Sequence, residues 1–133
     1  MEFSIKGNSL KAKFIRAIVP SMLTQLKLNN SSKCFVINLE KNGDNFGTTI
    51  PIDAVGGYMI LINPSKKLAE IASTVAHELV HLKQMAKGQL KHTPDHYIWM
   101  GKKYPKTTAY LDMPWEQEAF AKQELIMRRA IEE

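Results

Sequence analysis

The sequence predicts an α+β domain: an N-terminal helix, a small, mostly antiparallel sheet, and two further helices. Three observations predict it. Apolar side chains recur at helical spacing near the start, in the middle and at the end of the chain. Between the first two helical stretches lie three β-rich stretches with a strong turn signal among them. The 133 residues, 44% hydrophobic and 23% charged, are enough for one core but not for two, so residues 1–133 read as a single domain.

The first helix is expected over residues 8–28. Asn8 or Ser9 can cap it, and Leu10, Phe14, Ala17, Ile18, Leu23 and Leu26 recur at roughly helical spacing. Pro20 lies inside that stretch, which predicts a kink or two shorter helices. Lys33–Glu40, Phe46–Ile52 and Gly57–Ile62 are strand-length, and Asn42-Gly43 is a turn signal between the first two. These three stretches give the expected antiparallel sheet. Asn63-Pro64-Ser65 opens the second helix, which should run to about Lys87 and stop at Gly88. Leu68, Ile71, Ala72, Val75, Leu79 and Leu82 form its core stripe. Residues 89–113, punctuated by Pro94, Gly101 and Pro105, read as irregular or hairpin-like. Asp112-Met113-Pro114 opens a last helix, from about Trp115 to Ile131.

Composition narrows the function classes. The longest apolar run, Tyr58–Ile62, is far short of the roughly 18–20 residues of a membrane span, so no membrane partner is expected. The N-terminal stretch MEFSIKGNSLKAK has no apolar core after a basic start and predicts no secretory signal. A lone cysteine, Cys34, excludes internal disulfides and multi-cysteine zinc sites, and it fits a reducing cytoplasm. On its β-rich stretch Cys34 is expected to be a small buried hydrophobe. The net charge of +5 is spread over scattered lysines, with no arginine-rich stripe. It fits a solvated surface best, and the competing reading is a protein that works near nucleic acid or another polyanion.

The chemistry concentrates in His77-Glu78-Leu79-Val80-His81, an HExxH motif inside the second helix. Residues four apart on a helix are rotated by only about 40° and separated by about 6 Å, so both imidazoles can reach one ion. Zinc needs protein ligands on one side and an open position on the other. Glu78 then faces the open side as general base toward a reacting water. The competing reading is two ordinary histidines on a helix. A third ligand is required. The extended form HExxHxxGxxH is excluded, because Gln84 and Lys87 occupy the last two motif positions. His92 and His96 lie in the irregular stretch. On the last helix, a wheel of about 100° per residue puts Glu116 within the stripe of Trp115, Ala119, Phe120, Ile126, Met127 and Ala130. It puts Glu118 beyond the stripe's edge. A core-facing carboxylate is costly unless paired or bound to metal, so Glu116 is the expected ligand and Glu118 the reserve. The alternative is that both glutamates only complement the helix dipole.

An HExxH helix followed by a glutamate-bearing helix resembles the gluzincin group of zinc peptidases. AHELVHLKQ together with PWEQEA is similar to small phage-type and SprT-like zincins in particular, over about residues 57–125. The resemblance implies a minimal zincin fold and a Zn2+-dependent metalloprotease, with His77, His81 and Glu116 as ligands and Glu78 as base. In gluzincins the third ligand commonly precedes an acidic or amide residue by four positions. Here Phe120 stands there, so that support is missing or comes from elsewhere. Some SprT-like proteins use a third histidine, which keeps His92 and His96 as alternatives.

Tyr97, Tyr104 and Tyr110 lie between the two ligand helices, and one of them is a candidate oxyanion donor, although each alone reads as a packing residue. Met113 reads as a core methionine, and Trp99 and Trp115 as anchors of the last segment. The cleft is expected between the sheet edge and the HExxH helix, with Gly57–Ile62 as the edge that pairs with an extended peptide. The expected substrate is flexible or unfolded polypeptide, with the basic surface guiding the protein to a polyanionic location or an acidic substrate. The rival is a non-catalytic module in which zinc stabilises a nucleic-acid- or protein-binding fold.

Overall fold

The computed structural model describes residues 1–41, 43–52 and 56–132. It is an α+β fold with elements in the order β1 (Glu2–Ile5), α1 (Leu10–Gln25), β2 (Cys34–Leu39), β3 (Gly47–Ile52), β4 (Gly57–Ile62), α2 (Leu68–Ala86), β5 (Leu90–His92), β6 (His96–Trp99), β7 (Lys102–Pro105) and α3 (Pro114–Glu132). A short 3-10 turn, Tyr110–Asp112, precedes α3. No helix among the described residues is long and apolar enough to cross a membrane.

Helix α1 begins where the Ser9 hydroxyl accepts the Ala12 N–H, and it runs through Pro20 as one helix rather than two. It ends earlier than expected, because Lys27 takes a positive φ of 59° and Leu28 N–H bonds back to Leu23 O. Its buried face is Ala12, Ile15, Ile18, Val19, Met22 and Leu23; Leu10 and Ala17 of the expected stripe face solvent. Helix α2 starts four residues later than the Pro64 signal suggests. Asn63 spends its side chain on a turn with Ser65, and Glu70 instead satisfies the Lys67 N–H. The helix ends as expected, with Gly88 at φ 72° and Gln89 N–H on Gln84 O.

The larger sheet has the order β1-β2-β4-β3. Pairing is parallel for β1–β2 and β2–β4 and antiparallel for β3–β4. Mostly antiparallel pairing therefore holds over both sheets together, where three of the five ladders are antiparallel, but not within this one. Two things changed the pairing. A short N-terminal strand, missed in the sequence, joins β2 through α1 as a parallel crossover. Strands β2 and β4 are near-continuous apolar runs, which suit the centre of the sheet; one face is buried through Phe35, Ile37, Ile60 and Ile62, and the other is partly covered. The Asn42-Gly43 signal does not make a hairpin of β2 and β3, since β4 lies between them; Asn42 itself is outside the described residues.

The edge strand beside the HExxH helix is thus β3, not the expected Gly57–Ile62, which is interior. Asn63 N–H bonds to Phe46 O, and the register continues as Thr48↔Leu61 and Ile50↔Met59. Alternation therefore turns the main-chain groups of Gly47, Thr49 and Pro51 to the open edge. Proline at such a position forfeits no ladder bond.

Residues 89–113 form a second, three-stranded antiparallel sheet, β5-β6-β7. Met100 and Gly101, both at positive φ, make its two-residue hairpin turn. Cys34 is exposed rather than buried: it opens β2 on the side opposite the inward-facing Phe35 and Ile37.

Candidate metal centre

His77 and His81 lie one turn apart on α2, each 8% exposed. Their rings meet edge to face with centroids 4.8 Å apart, and their Nε2 atoms are separated by 3.1 Å. Glu116, in the first turn of α3, places Oε1 2.9 Å from each Nε2. The three ligand-type atoms lie within 4.8 Å of one another. Among the described residues this is the group of His, Cys, Asp or Glu side chains placed to hold a metal ion.

The far side of each imidazole shows what the near side offers. His77 Nδ1 is 2.7 Å from Gln123 Oε1, and His81 Nδ1 is 2.9 Å from Gln84 Oε1. A carbonyl oxygen only accepts, so both Nδ1 atoms donate. Gln84 cannot turn its amide round, because its Nε2 already donates to Trp115 O and to Glu118 Oε1, each at 3.0 Å. Neutral imidazoles held this way direct bare lone pairs from Nε2 at each other and at a carboxylate oxygen. Three acceptors about 3 Å apart repel unless a cation or a proton sits among them. The donor set fits a metal.

In the metal-free fold a proton stands in for that cation. Burial alone would raise the Glu116 carboxyl, but the two imidazoles outweigh it and hold the pKa at about 2. Burial works against charge on His81, yet Glu116 and Glu78 together move its pKa upward. The Tyr110 hydroxyl donates to Glu116 Oε1 at 3.1 Å, and burial followed by that carboxylate pushes the phenol well above its usual range. The Phe120 ring lies edge-on to His77, with centroids 4.7 Å apart. At the position where the gluzincin pattern would place an acidic or amide support there is thus an aromatic wall, and hydrogen-bonded support comes from Gln84, Gln123 and Tyr110.

Glu78 is 6% exposed and is not part of the donor group. Its Oε1 accepts the Thr49 hydroxyl from β3 at 2.8 Å, and burial raises its pKa despite that bond and the nearby histidines.

The remaining candidates fall elsewhere. Glu118 holds Gln84 and pairs with Lys83 and Lys122, each at 3.4 Å. His92 borders the cleft but meets Tyr97 edge to face, with centroids 5.1 Å apart; His96 sits in the β5–β6 hairpin with its main-chain N–H on Thr93 Oγ1. Tyr97, Trp99 and Tyr104 pack around the buried Trp115, with centroids 4.9, 6.3 and 5.5 Å from it, whereas Tyr110 lines the cleft. Sequence reading missed Gln84 and Gln123 as supports. The available signal was spacing: Gln84 follows His81 by three on one helix, and Gln123 follows Glu116 by seven on the other.

The cleft itself, about 910 Å³, runs between β3 and α2 on one side and α3 on the other. Asp44, Glu70, Glu78, Glu116 and Glu124 line it, with no lysine or arginine among the described residues there, although the whole chain carries +5. Compared with family models, with curated proteins and with solved structures, the chain matches none, so the reading of this site rests on its own geometry.

Proposed function

We propose that the chain is a zinc-dependent metalloprotease of the gluzincin type, with the SprT-like and phage-type resemblance resting on its motif residues. One observation carries the reading: a three-donor group and a separate buried carboxylate, Glu78, face the same open cleft. His77, His81 and Glu116 hold the Zn2+, a His2Glu set that suits that ion. When bound, zinc lowers the pKa of water and polarises a carbonyl.

Glu78 takes the proton of the attacking water and passes it to the leaving amine; its burial-raised pKa brings it toward that exchange. The Tyr110 hydroxyl, at the cleft wall, would turn from Glu116 Oε1 to the oxyanion once zinc occupies that carboxylate. An extended peptide pairs with the open edge of β3 through Gly47, Thr49 and Pro51, which gives main-chain affinity with weak sequence preference. The substrate is flexible or unfolded polypeptide. The carboxylates that line the cleft favour a neutral or cationic segment over an acidic one. A lone, exposed thiol fits work in a reducing compartment such as the cytoplasm.

The test is cleavage of an unstructured protein by wild type and by Glu78→Gln, each with zinc, with chelator and with added DNA. Wild type should cleave, and chelator should stop it. Glu78→Gln should bind zinc with wild-type stoichiometry and cleave nothing. Zinc-loaded wild type that cleaves nothing but binds DNA, more weakly as salt rises, would replace this reading with a zinc-stabilised binding module.

A further inference from the structure

Thr49 sits where two functions of the edge strand meet. Its main-chain N–H and C=O point to the open edge of β3, because the ladder bonds to β4 are made by the residues on either side of it. Its side chain points the other way, to α2. There Oγ1 lies 2.8 Å from Glu78 Oε1 and 3.1 Å from the Glu78 carbonyl oxygen. A hydroxyl has one hydrogen to donate, and the carboxylate is the closer and more strongly charged acceptor.

The approach that makes this contact depends on Gly47. A Cβ there would stand 2.8 Å from Thr74 Cγ2 on α2 and 2.9 Å from the Leu61 carbonyl on β4. The bare glycine lets β3 lie against α2 closely enough for the hydroxyl two residues on to reach Glu78.

We propose that Thr49 is a positioning residue for Glu78, so that the strand which receives the substrate's main chain also aims the general base. With Oε1 held by Thr49, the carboxylate is fixed in rotation and its other oxygen is presented to the cleft. The catalytic consequence rests on the protease reading; the contact does not.

The experiment uses Thr49→Val and Thr49→Ala, which remove the hydroxyl, and Thr49→Ser, which keeps it. Crystal structures of the zinc-loaded proteins should show the Glu78 carboxylate displaced or rotated in the first two and in its original place in the third. Zinc content should be unchanged in all. In cleavage of an unstructured protein, kcat should fall about ten- to a hundredfold in Thr49→Val and recover in Thr49→Ser, as expected for one hydrogen bond to a charged group. KM should stay within about twofold. An unmoved Glu78 in the hydroxyl-free variants overturns the proposal, as does a loss confined to KM or a serine that restores nothing. If wild type cleaves no polypeptide, the protease reading falls, and the position of Glu78 in the crystal structures alone sustains or overturns the positioning role.

Discussion

Replacing Gln84 by methionine tests the idea that the metal site is built by fixing imidazole tautomers. Gln84 is fully buried, and its amide makes three bonds: one to His81 Nδ1 at 2.9 Å and two, at 3.0 Å, to Trp115 O and Glu118 Oε1. Methionine keeps the length and approximate volume and removes every polar atom of the amide. Two effects follow and can be measured apart. His81 loses the acceptor that keeps its proton on Nδ1, so the tautomer with hydrogen on Nε2, which cannot ligate, is no longer disfavoured. Loss of such a support weakens a metal site about 10–100-fold, or about 1.4–2.7 kcal/mol. Separately, the Trp115 carbonyl loses its side-chain donor but keeps its place in the α3 hydrogen-bond ladder, which costs the fold about 0.5–1.5 kcal/mol whether or not metal is present. Competition for zinc against a chromophoric chelator, at a temperature where the variant is fully folded, reads the first effect; thermal melts of the metal-free protein read the second. Gln123→Met makes the matching change at His77. Gln123 is only partly buried, so water can replace its carbonyl, and the affinity loss should stay below about tenfold. A folded Gln84→Met protein that binds zinc as tightly as wild type refutes the tautomer reasoning.

Elemental analysis should find about one zinc per chain in wild type, and Glu116→Ala should lose tight binding, by more than about a hundredfold in the same competition assay. Glu118→Ala removes one of the two acceptors that hold Gln84 and leaves Trp115 O, so its loss should be below about tenfold; a larger loss from Glu118→Ala than from Glu116→Ala would show that the donors are misassigned. The pH dependence of stability should reverse with metal. In the metal-free fold burial opposes charge on His81, but Glu116 and Glu78 raise its pKa above the ordinary value of 6.5. That contribution is complete below about 6.5 and disappears as pH rises through the folded value. In the zinc-loaded fold the ligands must be unprotonated, so stability should grow over the same range. Melts from about pH 5.5 to 8.5 with zinc and with chelator check this, and equal slopes would contradict it.

What was legible in the sequence is what depends on residues near one another in the chain. The second helix could be read from its stripe and its Gly88 stop, and the His77–His81 pair from a spacing of four. The wheel picked out Glu116 as the carboxylate grouped with the histidines, although Glu118 is also partly buried, against Gln84, and Phe120 of the expected stripe is exposed. Strand pairing was not legible. It depends on which distant stretches meet, and a four-residue strand at Glu2–Ile5 has too few residues to show a period. The error had a functional consequence: with β4 taken as the edge, the contact of Thr49 with Glu78, 29 residues apart, had no reason to be looked for. Gln84 was read only as a motif position where glycine was missing, yet it proves to be the residue that orients His81.

The stretch between α2 and α3 explains how the third side chain of the group is brought to the two histidines. Glu116 comes from a helix about 35 residues away from the histidines, and a misplacement of its first turn would separate the donors. Its neighbour Trp115 is held from two sides. The rings of Tyr97, Trp99 and Tyr104 from β6 and β7 enclose the indole, and Lys106 lies over Tyr97, its Nζ 4.0 Å from the ring centroid. On the other side the Trp115 carbonyl accepts from Gln84 on α2, the same amide that sets the tautomer of His81. The small sheet thus locates the start of α3 by aromatic packing, and Gln84 ties that start to the HExxH helix by a hydrogen bond. The position of Glu116 and the orientation of His81 are then fixed by one connected set of contacts, so a disturbance at Trp115 reaches two of the three donors together.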